Sequence, residues 1–252
     1  MIWIVSGVMA LIAYLLGSVN SSIIISKIIS GKDIRNEGSG NAGATNMLRT
    51  HGKKAGILTL ICDMLKGVAA ILIARLVVWF ISSLGLPSDY TANTSMVAPT
   101  IFGRDVSFFE VNYLLNWIPY IAALFAVLGH NFPVFFGFKG GKGVATSGAV
   151  ILMLDWKIGL IILVFAITVM AITRYVSLGS VLSAAAYPIA LAAFMLGRGE
   201  FDFGYFLFSL IISGLLIFRH RANIVRLKNG TENKLGAKKK KAEETIDTGS
   251  NN

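Results

Sequence analysis

The 252-residue chain is 55% hydrophobic and only 14% charged, with a mean hydropathy of +0.70, which excludes a water-soluble domain of ordinary composition. A net charge of +10 in a soluble protein would suggest nucleic acid; in so apolar a chain, Lys and Arg beside membrane spans mark the cytoplasmic side instead, and no nucleic-acid partner is expected. The single cysteine, Cys62, cannot form an internal disulfide.

A spanning helix needs about 20 mostly apolar residues. Hydropathy and breaker residues place spans at 2–26, 56–86, 112–130, 144–154, 158–174, 178–197 and 202–218, so the predicted fold is an all-α polytopic membrane bundle of about seven helices. The fourth is short and reads as partly re-entrant. The first run lacks a basic leader and a clear cleavage site, and it reads as a retained helix.

The loop after the first span carries Lys27, Lys32, Arg35, Arg49, Lys53 and Lys54, which places it in the cytoplasm and the N-terminus outside. The next loop, Pro87 to Glu110, has Arg104 beside Asp89, Asp105 and Glu110, and is expected outside. Lys139, Lys142 and the Arg174-Tyr175 turn fall inside, while Asp155-Trp156-Lys157 and Arg198-Gly199-Glu200 fall outside. The last span delivers Arg219, Arg221, Arg226 and Lys228 to the cytoplasm. Residues 1–236 are thus read as one membrane-embedded domain, and 237–252, with Lys238 to Lys241, as a disordered cytoplasmic tail.

Three polar clusters fall on that inner face. The first, Gly38-Ser39-Gly40-Asn41-Ala42-Gly43-Ala44-Thr45-Asn46-Met47-Leu48-Arg49, offers backbone N–H groups, hydroxyl, amide and guanidinium donors that suit an oxyanion. Its plain alternative is a flexible polar loop. The second, Phe138-Lys139-Gly140-Gly141-Lys142-Gly143-Val144-Ala145-Thr146, follows His130-Asn131 and feeds a helix N-terminus, combining free N–H groups, the positive dipole end and two ammonium groups. It lacks the Walker A spacing, and its alternative is a tight interhelical turn. The third, Arg219-His220-Arg221-Ala222-Asn223-Ile224, puts His220 and Asn223 on one helical face, although a basic stretch after a span is commonly a headgroup anchor.

Asp63 and Lys66 sit at i and i+3 inside a span, where each unpaired charge would cost roughly 2.5 to 3.5 kcal/mol. They are expected to pair or to face a polar cavity. No His-x4-Asp motif occurs, since Gly56, Phe135 and Val225 stand five residues after His51, His130 and His220. No metal site is expected, because His, Cys and acidic residues do not cluster at ligand spacing.

Together these clusters make the chain resemble the bacterial acyl-phosphate:glycerol-3-phosphate acyltransferases, the PlsY family, from Tyr14 through Gly236. The resemblance implies transfer of a fatty acyl group from acyl phosphate to the 1-hydroxyl of glycerol 3-phosphate, giving lysophosphatidic acid and phosphate, the first acylation of bacterial phospholipid synthesis. It further implies no cofactor, a plasma-membrane location among lipid, and a separate soluble acyltransferase supplying acyl phosphate. Carried over residue by residue, it makes Ser39, Arg49, His220 and Asn223 catalytic. Gly40, Asn41, Asn46, Lys139, Gly140, Gly141, Lys142, Gly143 and Thr146 become substrate-binding, and Glu232 matches a family glutamate. The long loop at 87–110 departs from the family pattern.

Acyl phosphate is already activated, so positioning and charge stabilisation favour direct attack over an acyl-enzyme. The base is either His220 or a substrate phosphate oxygen. Two other classes compete: a small-anion transporter, which would want broken helices at the midplane and related halves, and a lipid-binding scaffold, which would not need three such loops.

Overall fold

The computed structural model describes residues 2–83, 100–101, 104–105 and 115–236. Apart from two short strands, the expected outer loop at 87–110 lies outside these residues, as does the tail from 237.

Apolar segments with no water to satisfy their backbone must close their hydrogen bonds internally, and they do so as helices. In chain order these are α1 (Ile2–Ser18), α2 (Ser21–Ser30), α3 (Ala44–Thr50), α4 (Gly52–Ser83), α5 (Ile118–Asn131), α6 (Val144–Leu154), α7 (Trp156–Thr173), α8 (Val176–Gly197), α9 (Phe203–Arg219) and α10 (Arg221–Lys228). Strands β1 (Thr100–Ile101) and β2 (Arg104–Asp105) pair antiparallel, Thr100 with Asp105 and Ile101 with Arg104.

Side-chain caps set several boundaries. Asn20 starts α2 by accepting from the Ile23 N–H at 3.2 Å. Asp155 starts α7 by accepting from the N–H groups of Lys157 and Ile158, and Asp202 starts α9 through those of Gly204 and Tyr205.

Among the described residues, five segments are long and apolar enough to cross a bilayer: Trp3–Ser30, Gly52–Ser83, Ile118–Phe136, Trp156–Thr173 and Val176–Gly197. A sixth is reached if α9 and α10, bent by 59° at their junction, count as one. All seven segments expected from hydropathy coincide with helices, but α6 has 11 residues. At 1.5 Å per residue it rises only about 16 Å, roughly half the hydrocarbon core.

Small residues bring helices together where lipid offers no hydrophobic drive. A Cβ on Gly17 of α1 would sit 2.1 Å from the Ala126 carbonyl oxygen of α5, and one on Gly129 would sit 2.2 Å from the Tyr14 carbonyl oxygen. The Tyr14 hydroxyl then donates to the Phe132 carbonyl at 2.7 Å, fastening the C-terminal ends of this helix pair.

The buried charges expected in the second span do pair. Lys66 Nζ donates to Asp63 Oδ1 at 3.0 Å and to the Val19 carbonyl at 3.0 Å. Ser21 donates to the same carboxylate oxygen at 2.8 Å, and His130 Nδ1 stands 3.6 Å from it. Thr146 Oγ1 donates to the Asp63 carbonyl at 2.9 Å. Through its carboxylate and its backbone carbonyl, Asp63 of α4 therefore bonds the start of α2 and α6, with His130 of α5 beside it, beneath the polar loops.

Candidate active site

Those loops surround the polar end of a cavity of about 510 Å³. Ser39, Arg49, Lys142, His220, Asn223 and Glu232 line that end. Leu60, Met64, Leu152, Ile162, Ile167 and Ile212 line the apolar remainder.

The first cluster is shaped by Asn46 of α3. Its Oδ1 accepts from the Ser39 N–H at 2.9 Å, while its Nδ2 donates to the carbonyls of Glu37 at 2.9 Å and Ile34 at 3.2 Å. Asn46 borders the cavity, yet its amide is committed to folding the 34–39 segment so that Ser39 is presented. Arg49, in the last turn of α3, reaches across to the C-terminal segment and donates to the Asn233 carbonyl at 3.2 Å.

In the second cluster the expected cradle of free glycine N–H groups is only partly available. Gly140 N–H donates to the Asn131 carbonyl and Gly141 N–H to the His130 carbonyl, each at 3.2 Å. Close approach is what requires glycine here. A Cβ on Gly140 would lie 2.1 Å from the His130 carbonyl oxygen, and one on Gly141 would lie 2.2 Å from His130 Nε2. The carbonyl side of the loop is held by two arginines. Arg219 donates to the carbonyls of Gly140 (3.1 Å) and Gly141 (2.8 and 3.1 Å), and its guanidinium lies over the Phe132 ring. Arg35, braced by Asp33, donates to those of Phe136 (2.7 Å) and Lys139 (3.2 Å).

What the loop offers the cavity is its last portion. Lys142 enters it, and Gly143, Val144 and Ala145 bring the positive end of α6 to the same wall.

The third cluster forms at the bend between α9 and α10. His220 closes α9, and its carbonyl accepts from the Asn223 N–H at 2.8 Å, so the two residues rise from one turn. His220 Nδ1 lies 2.8 Å from the Leu216 carbonyl. A carbonyl only accepts, so Nδ1 carries the proton and Nε2 keeps its lone pair.

The Asn223 amide is held at both ends: Oδ1 accepts from Lys142 Nζ, and Nδ2 donates to Glu232 Oε1 at 2.8 Å. Ser177 of α8 donates to the same Glu232 oxygen at 3.0 Å, and Arg226 Nε donates to Oε2 at 2.7 Å. Burial alone would raise the Glu232 carboxyl; hydrogen bonds from Arg226, Asn223 and Ser177 outweigh it and hold the group below its ordinary range. Burial also pushes the Lys142 ammonium down to about 8, opposed by Glu232 and reinforced by Arg226, Arg49 and Arg219.

The fold thus gathers Ser39, Asn41, Gly43, Asn46, Arg49, Lys142, Gly143, His220, Asn223 and Glu232 around one space. Gly40, Lys139, Gly140, Gly141 and Thr146 do not line it. Lys139 is exposed, the two loop glycines pack against His130, and Thr146 is buried on Asp63. Arg35, Arg219 and Arg226 were not named from sequence as site residues, because such arginines resemble topology signals; the turn holding Ser177 read equally as an interfacial anchor or a site segment.

A sequence profile described as "Glycerol-3-phosphate acyltransferase" matches residues 7–230. Among curated relatives, the glycerol-3-phosphate acyltransferase of Clostridioides difficile (strain 630) is 40% identical over 232 residues, covering 92% of this chain and 96% of its own. That of Shouchella clausii (strain KSM-K16) is 42% identical over 228 residues, covering 90% and 95%. The crystal structure of PlsY, an integral membrane glycerol 3-phosphate acyltransferase, superposes in its glycerol 3-phosphate form with a TM-score of 0.69 at 35% identity, covering 92% of this chain and 96% of that one. Its lysophosphatidic acid form superposes with a TM-score of 0.66 at 33% identity. With a profile match spanning the three clusters and relatives aligned almost end to end, this chain belongs to the glycerol-3-phosphate acyltransferase family.

Proposed function

We propose that this protein transfers a fatty acyl group from acyl phosphate to the 1-hydroxyl of sn-glycerol 3-phosphate, giving 1-acylglycerol 3-phosphate and inorganic phosphate. The observation that carries this reading is a single cavity with a cationic end, at Arg49 and Lys142, continuous with an apolar groove. Each substrate has a charged phosphate and one has a fatty chain, and such a space lets each part keep its preferred surroundings. Both PlsY structures, in their glycerol 3-phosphate and lysophosphatidic acid forms, support it.

In this mechanism Arg49 and Lys142 hold phosphate oxygens while Ser39 and Asn223 orient the reacting groups. The 1-hydroxyl oxygen attacks the acyl carbonyl carbon, a new ester C–O bond forms, and the C–O bond to phosphate breaks. The hydroxyl proton passes to His220 Nε2, or directly to an oxygen of the departing phosphate, and phosphate leaves with the bonding pair. Glu232 does no proton transfer; it fixes the Asn223 amide. No residue needs to carry the acyl group.

The same reading places the cationic end at the cytoplasmic face of a bacterial plasma membrane, with the N-terminus outside and α6 as the short member of seven crossings. Residues 1–236 suffice for the chemistry, and a soluble acyltransferase supplies the acyl phosphate.

The test is phosphate release from palmitoyl phosphate by the purified protein, dependent on added glycerol 3-phosphate. Turnover with acyl-CoA or acyl carrier protein and none with acyl phosphate would sink the donor assignment. A covalent acyl adduct on Ser39, lost in Ser39→Ala, would replace direct transfer by an acyl-enzyme.

A further inference from the structure

The cavity does not run the length of the bundle. Its wall along α8 runs from Val176 and Ser177, the latter bonded to Glu232, past Ser180, Ser183 and Ala184 to Tyr187. The ten-residue step from Ser177, at 1.5 Å per residue, sets Tyr187 about 15 Å from the polar end. Tyr187 is 5% exposed and belongs to the core cluster that also holds Ile151, Leu191 and Ile212.

Behind Tyr187 lies a second cavity, also about 510 Å³, bordered by Tyr120, Leu154, Asp155, Leu191 and Tyr205. It occupies the place where α6 ends early at Leu154. Tyr187 lines both cavities and so stands between them.

The opposite wall has a matching feature nearer the polar end. On α6, Ala145, Gly148, Ala149 and Leu152 line the first cavity. Thr146 and Val150 instead meet α4, where a Cβ on Gly67 would lie 3.1 Å from Val150 Cγ1 and 3.2 Å from the Thr146 carbonyl oxygen. A Cβ on Gly148 would meet nothing within 4 Å. No neighbouring helix requires a glycine at that position. What its missing side chain leaves is groove width, about 6 Å beyond Val144.

We infer that Tyr187 is the stop that sets the longest acyl chain the groove accepts, and that Gly148 keeps the near part of the groove open; both are specificity-determining residues for the donor. The inference rests on the acyl-phosphate reading above. A chain entering methyl end first passes Gly148 and comes to rest against the Tyr187 ring. Shortening that ring joins the groove to the space behind it, and filling position 148 bars every chain long enough to reach it.

The experiment measures kcat/KM for butyryl, lauroyl, palmitoyl and arachidoyl phosphate at saturating glycerol 3-phosphate, using the full-length purified protein. Burial of one methylene corresponds to about a four-fold change in binding. Gly148→Leu should therefore lower the palmitoyl-to-butyryl ratio by roughly 100-fold or more, since several methylenes lose their place. Tyr187→Ala should raise the arachidoyl-to-palmitoyl ratio by roughly ten-fold. If Tyr187→Ala does not yield folded protein, Tyr187→Leu, still apolar but shorter, carries the same measurement.

Ratios unchanged in both variants overturn the inference, as does an equal loss on all four donors. Failure of the donor reading looks different: the unmodified protein would then turn over none of the four.

Discussion

The Lys142 ammonium donates a hydrogen bond to the Asn223 side-chain oxygen, joining the glycine-rich loop before α6 to the bend after α9. Because Asn223 gives its N–H to Glu232, the amide can point only one way, with its oxygen toward the lysine. Lys142 and His220 are held at the same cavity wall as a result.

Asn223→Asp breaks that arrangement. A carboxylate has no N–H to give and adds negative charge beside Glu232 Oε1. We expect kcat/KM to fall by roughly 100-fold, the scale of an ångström-level misplacement. Glycerol 3-phosphate-dependent phosphate release measures it, with a thermal melt alongside to show that the protein remains folded.

The pH dependence should carry the signature of Lys142. Its ammonium is the acid form, and burial lowers its pKa to about 8, so the charge is present below that pH and lost above it. On the alkaline side, kcat/KM for glycerol 3-phosphate should fall about ten-fold per pH unit once past that point. Lys142→Arg, whose guanidinium stays charged, should show a lower plateau without that decline. A wild-type profile flat to pH values well above 8 would remove Lys142 from phosphate binding.

Arg219 holds the loop carbonyls and does not line the cavity. Arg219→Lys keeps the charge but loses the fork that spans the Gly140 and Gly141 carbonyls. The expected result is a KM for glycerol 3-phosphate raised roughly ten-fold, with the KM for the acyl donor changed much less. Equal changes in both would point to general loosening instead.

Two glycines near the site should respond oppositely to alanine. At Gly141 the added methyl meets His130 Nε2 at 2.2 Å and the Ala42 carbonyl oxygen at 2.6 Å, so Gly141→Ala should cost about 1–3 kcal/mol and most of the activity. At Gly148 it meets open space inside a helix, so Gly148→Ala should leave the melting temperature unchanged or raise it, by up to about 1 kcal/mol of stability. Melts of the two purified variants test the contrast.

Much of this site was legible because its chemistry is unusual for its surroundings. Ser39, Arg49, Lys142, His220 and Asn223 stand out in a chain of Ile, Leu and Phe, and each lines the cavity. Asp63 and Lys66 likewise declared a pairing by being charged, one turn apart, within a span. Less was legible where one residue type serves two purposes. The glycine N–H groups looked available to a phosphate, but those of Gly140 and Gly141 are taken by the end of α5. Lys139 looked like a partner to Lys142 and instead stands exposed.

The sequence by itself determined that the chain is a helical membrane protein with its polar clusters falling near helix ends, because hydropathy and the loss of water from the backbone act locally along the chain. It also singled out side chains, Arg49 and Lys142 among them, whose chemistry suits an oxyanion. Only the tertiary structure decided which cations reach the cavity and which hold it together. Arg219 and Arg35 are indistinguishable from membrane-orienting charges until their carbonyl partners, 78 and 101 residues away, come into range. Ser177 likewise finds its partner, Glu232, only across 55 residues. A hydrogen bond forms between groups about 3 Å apart in space, and separation along the chain does not say which groups those will be.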